Sequence, residues 1–158
     1  MEDSLAIVFA VIVAIFIMFI FPLLDTWELQ DSLSYTTTYA TVTDFDDTVR
    51  NTGYISQEVY SAFVNRLCMT GNSFAITMLH RKFIEDVGAY MNVYTNEIER
   101  KLDTDGVYRL DKYDYFYVTV RNTNKTQATV IREFVYANNE ESFKIGTAYG
   151  GIVWAISE

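Results

Sequence analysis

LAIVFAVIVAIFIMFIFPLL, residues 5–24, is a run of twenty residues without a charge, interrupted only by Pro22. At about 1.5 Å of rise per residue, a helix of this length reaches roughly 30 Å, the thickness of a bilayer core. No glycine, second proline or loop-forming cluster follows until Gly53. The backbone has no reason to leave the helix between Asp25 and Asn51, so one rod from Ser4 to about Asn51, on the order of 70 Å long, is predicted. The chain divides accordingly. Residues 1–52 read as a hydrophobic transmembrane helix continuing as a stalk, and residues 53–158 as one small α+β globular domain.

Charge is distributed as unevenly as hydropathy. The 158 residues carry a formal net charge of −9. Residues 1–49 hold Glu2, Asp3, Asp25, Glu28, Asp31, Asp44, Asp46 and Asp47 and no Lys or Arg, while the remainder is close to balanced. Without a basic patch, no nucleic-acid partner is expected. Cys68 is the lone cysteine, which excludes an intramolecular disulfide framework. The apolar run lacks the positive n-region and the small-residue cleavage pattern of an ordinary secretory signal. Neither flank carries a cation, so charge leaves the topology open.

Several features of the rod point to association. Ala6, Ala10 and Ala14 stand four apart, placing three small side chains on one face where another helix can approach; the same spacing also arises by chance in lipid-facing sequence. Pro22 removes one backbone hydrogen bond and is expected to kink or loosen the helix. Trp27 sits where an interfacial anchor belongs. In the stalk, Tyr35, Tyr39, Val42, Phe45 and Val49 form an apolar stripe at helical spacing, to be covered by the globular domain or by neighbouring copies. Glu2 and Asp3 suit a helix N-terminus. Inside a bundle of membrane helices, a carboxylate there would also seek the positive end of a neighbouring helix and set the axial register between subunits.

Beyond the rod, Gly53 reads as a helix stop and Ser56 as the N-cap of a second helix ending near Met69. Ser73–Leu79 alternates like a strand. Phe83, Val87, Tyr90, Met91, Tyr94, Ile98 and Leu102 fit a third helix that stops at Asp103–Gly106. From Tyr108 the pattern is β: Tyr113–Val120, a hairpin turn at 122–125, a returning strand at Thr129–Tyr136, and a bent or split strand within Phe143–Ile156. The prediction is an α+β fold, a long N-terminal membrane-plus-stalk helix packed on an antiparallel sheet of four or five strands.

Groups suited to catalysis are few, and no enzyme is expected. Cys68, at an apolar helix end, reads as a buried structural thiol. His80, beside Arg81 and Lys82, reads as a solvated residue, and zinc lacks ligands. Asp44, Asp46 and Asp47 diverge around a helix and suggest a solvated face. Asp103-Thr104-Asp105-Gly106 resembles a calcium loop but lacks a third ligand and a distal Glu. Asn124-Lys125-Thr126 is a formal glycosylation sequon. No cofactor and no metal are expected.

The plan as a whole resembles type IV pilins and pseudopilins. The matching features are the N-terminal apolar helix continuing as a stalk, acidic residues at its start (Glu2, Asp3), the helix-loosening Pro22 and a small sheet domain behind. More narrowly, VRNTGYI (49–55), LCMTGN (67–72) and YFYVTVRN (115–122) are similar to small pilin-like proteins of tight-adherence-type systems in Gram-positive bacteria. The resemblance implies a structural subunit that waits in the membrane and then joins a cell-surface filament. Its core would be packed first helices, and its partners other copies of itself or related subunits. Glu2, Asp3, Ala6, Ala10, Ala14 and Pro22 would be its assembly residues. The alternative class is a single-pass membrane-anchored protein with an extracytoplasmic binding domain.

Overall fold

The structure, a computed structural model, describes residues 2–136 and 145–155, apart from the side chains of Glu2, Asp3 and Tyr136. It is α+β. Helix α1 (Glu2–Thr52) runs through Pro22 without a break. The elements that follow are β1 (Tyr54–Ser56), α2 (Gln57–Cys68), β2 (Phe74–Ile84), β3 (Ala89–Tyr94), α3 (Thr95–Asp105), β4 (Val107–Arg109), β5 (Tyr115–Asn122), α4 (Gln127–Tyr136) and β6 (Gly146–Ile152). Their contacts form two compact units, one of Met1–Leu33 with Lys125–Phe143 and one of Ser34–Asn124 with Lys144–Glu158.

In the larger unit, β3, β2, β5 and β6 form an antiparallel four-stranded sheet in that order, and β1 pairs with β4 in a separate two-stranded ribbon. Alternation in β5 sends Phe116, Val118 and Val120 into the core and leaves Tyr115, Tyr117 and Thr119 on the half-exposed face. Val42, Phe45 and Val49 of α1 meet them in the core, together with Phe63 and Leu67 of α2 and Ile98 and Leu102 of α3. Phe45 stacks on Phe63 at 4.2 Å between centroids and meets the edge of Phe116 at 6.2 Å. Burial of this mixed aliphatic and aromatic cluster is the main source of stability in a sheet–helix layer of this size.

The buried face of the stalk is displaced from the expected stripe. Val42, Phe45 and Val49 are buried, but Tyr35 and Tyr39 are 41% and 46% exposed, and Ser34, Thr38 and Thr41 face inward instead. Asn72 donates to Ser34 Oγ at 3.2 Å, so a polar contact replaces the apolar one there.

Helix boundaries follow the cap residues. The N–H of Val59 donates to Ser56 Oγ at 3.2 Å, and α3 ends at Gly106 in the left-handed region. Gly53, at φ +73°, stops α1 by donating to the Val49 carbonyl at 2.8 Å. A Cβ at Gly53 would lie 2.6 Å from the Ala155 Cβ. Gly53→Ala is therefore expected to destabilise the larger unit by about 2–3 kcal/mol, combining left-handed strain with overpacking. Urea unfolding of the full chain in detergent, followed by circular dichroism, measures it.

Three predicted elements are replaced. Residues 83–94 belong to a hairpin and not to a helix: β2 continues to Ile84, turns at Gly88 (φ +62°), and pairs with β3 from Leu79↔Tyr94 to Ile84↔Ala89. Only the last part of the expected third helix forms, as α3. The expected return strand Thr129–Tyr136 is the helix α4. Its place beside β5 is taken, because β2 and β6 occupy both edges of that strand. Of the last stretch, residues 145–155 are described, and they hold one strand, β6, that runs through its glycines unbroken, while Phe143, Lys144 and Ile156 lie outside the described residues. At Gly150 a Cβ would come within 2.5 Å of the Phe116 carbonyl oxygen, so the absent side chain permits this pairing.

Candidate functional site

Two places concentrate unusual chemistry. The first is a buried polar cluster in the larger unit. His80 on β2, Tyr108 on β4 and Asp114 just before β5 are each less than 5% exposed. His80 Nε2 lies 2.8 Å from Asp114 Oδ2 and its Nδ1 lies 2.7 Å from the Tyr108 hydroxyl. A carboxylate only accepts, so the imidazole proton sits on Nε2 and the Tyr108 hydroxyl donates to Nδ1. Asp114 also accepts from the backbone N–H of Phe83 (2.8 Å) and of Asp111 (2.9 Å). His80 is thus buried and not solvated as its Arg-Lys neighbours suggested. Burial pushes its imidazole below the ordinary range, outweighing the pull of Asp114. The cluster aims no group at solvent, and the chemistry it supports is the positioning of three strands.

Asp46 departs from expectation in the same way. Asp44 and Asp47 of the acidic triplet reach solvent, but Asp46 is buried. Arg50 Nε donates to its Oδ2 at 2.6 Å, and Oδ1 has no hydrogen-bond partner. Arg50 also pairs with Asp47 and lies over the Tyr149 ring at 5.6 Å. Burial, opposed by Arg50, pushes the Asp46 carboxyl up to about 6. A folded-state value above the unfolded one means that Asp46's contribution to stability is complete below about pH 4 and is lost as pH rises through 6. His80 has the opposite sign, its contribution being present above about pH 6.5 and lost on acidification. Asp46→Asn is therefore expected to gain on the natural chain as pH rises, by about 2 kcal/mol between pH 4.5 and 7.5. Urea midpoints at the two pH values provide the check.

The second place is the apolar helix. α1 is, among the described residues, the helix long and apolar enough to cross a membrane: its most apolar window has a mean hydropathy of 3.2 and no buried residue. By length and composition it suits a membrane anchor or a signal sequence. Phe9 is 69% exposed and Met18 75%. The predicted assembly residues Ala6, Ala10, Ala14 and Pro22 all lie on this exposed stretch. Thr26 Oγ1 donates to the Pro22 carbonyl at 2.8 Å. The side chains of Glu2 and Asp3 lie outside the described residues.

In this smaller unit α1 is accompanied by α4. Thr126 caps α4, its Oγ1 accepting from the N–H of Thr129 (3.3 Å) and donating to Asp31 Oδ2 (2.6 Å). Further along, Arg132 pairs with Glu28, and Lys125 pairs with Glu133 of α4 itself at 2.8 Å. Phe134 and Val135 then line a groove of about 460 Å³ with Phe16, Ile17, Ile20, Phe21 and Leu24. Sequence reasoning missed α4 because Thr126 was read as part of a hairpin-tip sequon. The signal present was Thr126 as an N-cap.

Other candidates are dispersed. Cys68 is exposed, not buried. Asp103 and Asp105 point to solvent, and no group of three or more potential metal ligands occurs among the described residues. Asn124 of the sequon accepts from the Ser73 N–H at 2.9 Å and donates to Asn72 at 3.0 Å. No family model, curated protein or solved structure matches this chain.

Proposed function

We propose that this chain is a structural subunit of a pilus-like surface filament, held in the membrane and then assembled by bundling of its N-terminal apolar helices. The observation that carries this reading is the bare helix: every side chain from Leu5 to Phe19 is exposed in the single chain. Roughly 25 cal/mol is at stake for each Å² of apolar surface left in water, so such a surface must be covered by lipid, by other copies, or by each in turn. A pilin-like subunit uses both covers, and its acidic N-terminal residues and its alanine face suit the second. Its partners are copies of itself or related subunits, and its destination is the cell surface.

A single-pass anchored binding protein is the second reading, favoured by the outer face of the sheet. There Tyr115 stacks parallel to Tyr117, and the Arg81 guanidinium lies 5.1 Å over the Tyr90 ring. That face offers a stacking platform for a ligand. Cysteine cross-linking separates the two readings. With Cys68 replaced by serine, Ala10→Cys is expected to give disulfide-linked dimers in native membranes, while Ile12→Cys, on the opposite side of the helix from the alanines, gives fewer. No cross-linking at either position would favour the solitary anchor.

A further inference from the structure

From the geometry of α4 we infer a second, peripheral contact with the bilayer: the C-terminal half of α4 inserts into the acyl region beside α1. This rests on the reading of Leu5–Leu24 as a membrane segment. The two helices run in opposite directions. Thr126 meets Asp31, Arg132 reaches Glu28, and Phe134 and Val135 share a groove with Phe16, Ile17, Ile20, Phe21 and Leu24, which Asp25 and Glu28 also line. At equal rise per residue, moving forward from Thr126 to Val135 is equivalent to moving back from Asp31 to about Pro22. Counted from Arg132 and Glu28 the level of Phe134 is about Thr26, so Phe134 lies between Leu23 and Thr26, at the edge of the uncharged run, on the groove it shares with Phe16 to Leu24.

The chemistry of α4 agrees with that placement. Its charges, Arg132 and Glu133, stay paired with Glu28 and Lys125 at the level where Asp25, Trp27 and Glu28 mark the polar boundary of α1. Below that boundary α4 presents Phe134, 75% exposed, and Val135, 43% exposed, and the groove they line continues directly into the exposed apolar surface of α1. Above it, Ala128 and Thr129 are buried. A soluble helix has no reason to expose a phenylalanine next to a bare apolar rod. An interfacial helix has one, because lipid covers both surfaces together. The occupant argued for is thus the acyl chains of the bilayer. A second copy of the chain is the competing cover.

Nitroxide depth measurement on the full chain in phosphatidylcholine vesicles tests this. With Cys68 replaced by serine, single labels are placed at Gln127, Val130 and Phe134 of α4, at Ile12 as the reference for α1, and at Glu58 as the aqueous reference. The expected result is a depth gradient. The ratio of oxygen to nickel-chelate collisions rises from 127 through 130 to 134, ending severalfold above Glu58 and below Ile12, which lies about 15 Å deeper. An aqueous ratio at both 130 and 134, with Ile12 still in lipid, overturns the inference and leaves the anchor intact. A label at 134 shielded from both reagents and broadened by spin–spin coupling also overturns it, in favour of a second copy. An aqueous ratio at Ile12 removes the membrane reading itself, and the inference with it.

Discussion

Asp114→Ala is expected to destabilise the larger unit by about 3–5 kcal/mol, the largest single-residue effect in the fold. Its carboxylate accepts from His80 Nε2, Phe83 N and Asp111 N within 2.9 Å. Truncation leaves three donors without a partner, two of them backbone groups that no rotamer change can redirect. Each buried orphan costs about 1–3 kcal/mol, so loss of the set exceeds the value of any one bond. Asp114→Asn separates charge from shape. The amide oxygen still accepts one backbone N–H, and its NH2 donates to His80 Nε2 if the imidazole proton moves to Nδ1, so roughly half the loss is expected. Urea unfolding of the detergent-solubilised full chain measures both variants. A loss below about 1 kcal/mol for Asp114→Ala would mean that water replaces the carboxylate, and that the cluster is not a structural lock.

The second large effect is on assembly. Replacing both Glu2 and Asp3 by alanine should leave membrane insertion intact, because removing charge from an apolar helix end makes insertion easier. Filament yield should nevertheless fall at least tenfold. A carboxylate drawn into a helix bundle is stabilised only by a positive partner such as a neighbouring helix N-terminus, and without it the axial register between copies is unspecified. Quantitative immunoblotting of the membrane and sheared surface fractions provides the readout. Unchanged surface yield with unchanged insertion would remove the register role from these residues.

What the sequence revealed and what it hid divide along physical lines. Local signals carried far. Gly53 as a stop, Ser56 as an N-cap and Gly106 at the end of α3 each depend on one backbone geometry, and each stands where it was read. The apolar run from Leu5 to Leu24 needs no partner to declare itself. Elements decided by tertiary competition were less legible. Phe83, Val87, Tyr90 and Tyr94 fit a helical period by coincidence, and the hairpin they form is stabilised by pairing of β2 with β3. α4 looked like a strand because its β-branched residues follow β5, yet β6, drawn from farther along the chain, holds that edge.

The buried polar groups were the least visible. Asp46 was indistinguishable from Asp44 and Asp47 until the register of α1 against the sheet turned it inward. His80 follows Phe74, Ile76 and Met78 at period two, a sign of the inward face visible only if the strand is carried past Leu79, and its partners are 28 and 34 residues away. The assembly residues differ again. Ala6, Ala10, Ala14 and Pro22 lie where the sequence put them, exposed on one helix, and their role depends on whether other copies meet them.

The central claim, that the apolar helix serves assembly as well as anchoring, is tested most directly by negative-stain electron microscopy of material sheared from the native cell surface and labelled with antibody to this chain. The account predicts label along filaments of uniform diameter, lost in the Glu2/Asp3 double variant. Label confined to membrane vesicles, with none along filaments or at their tips, would contradict it.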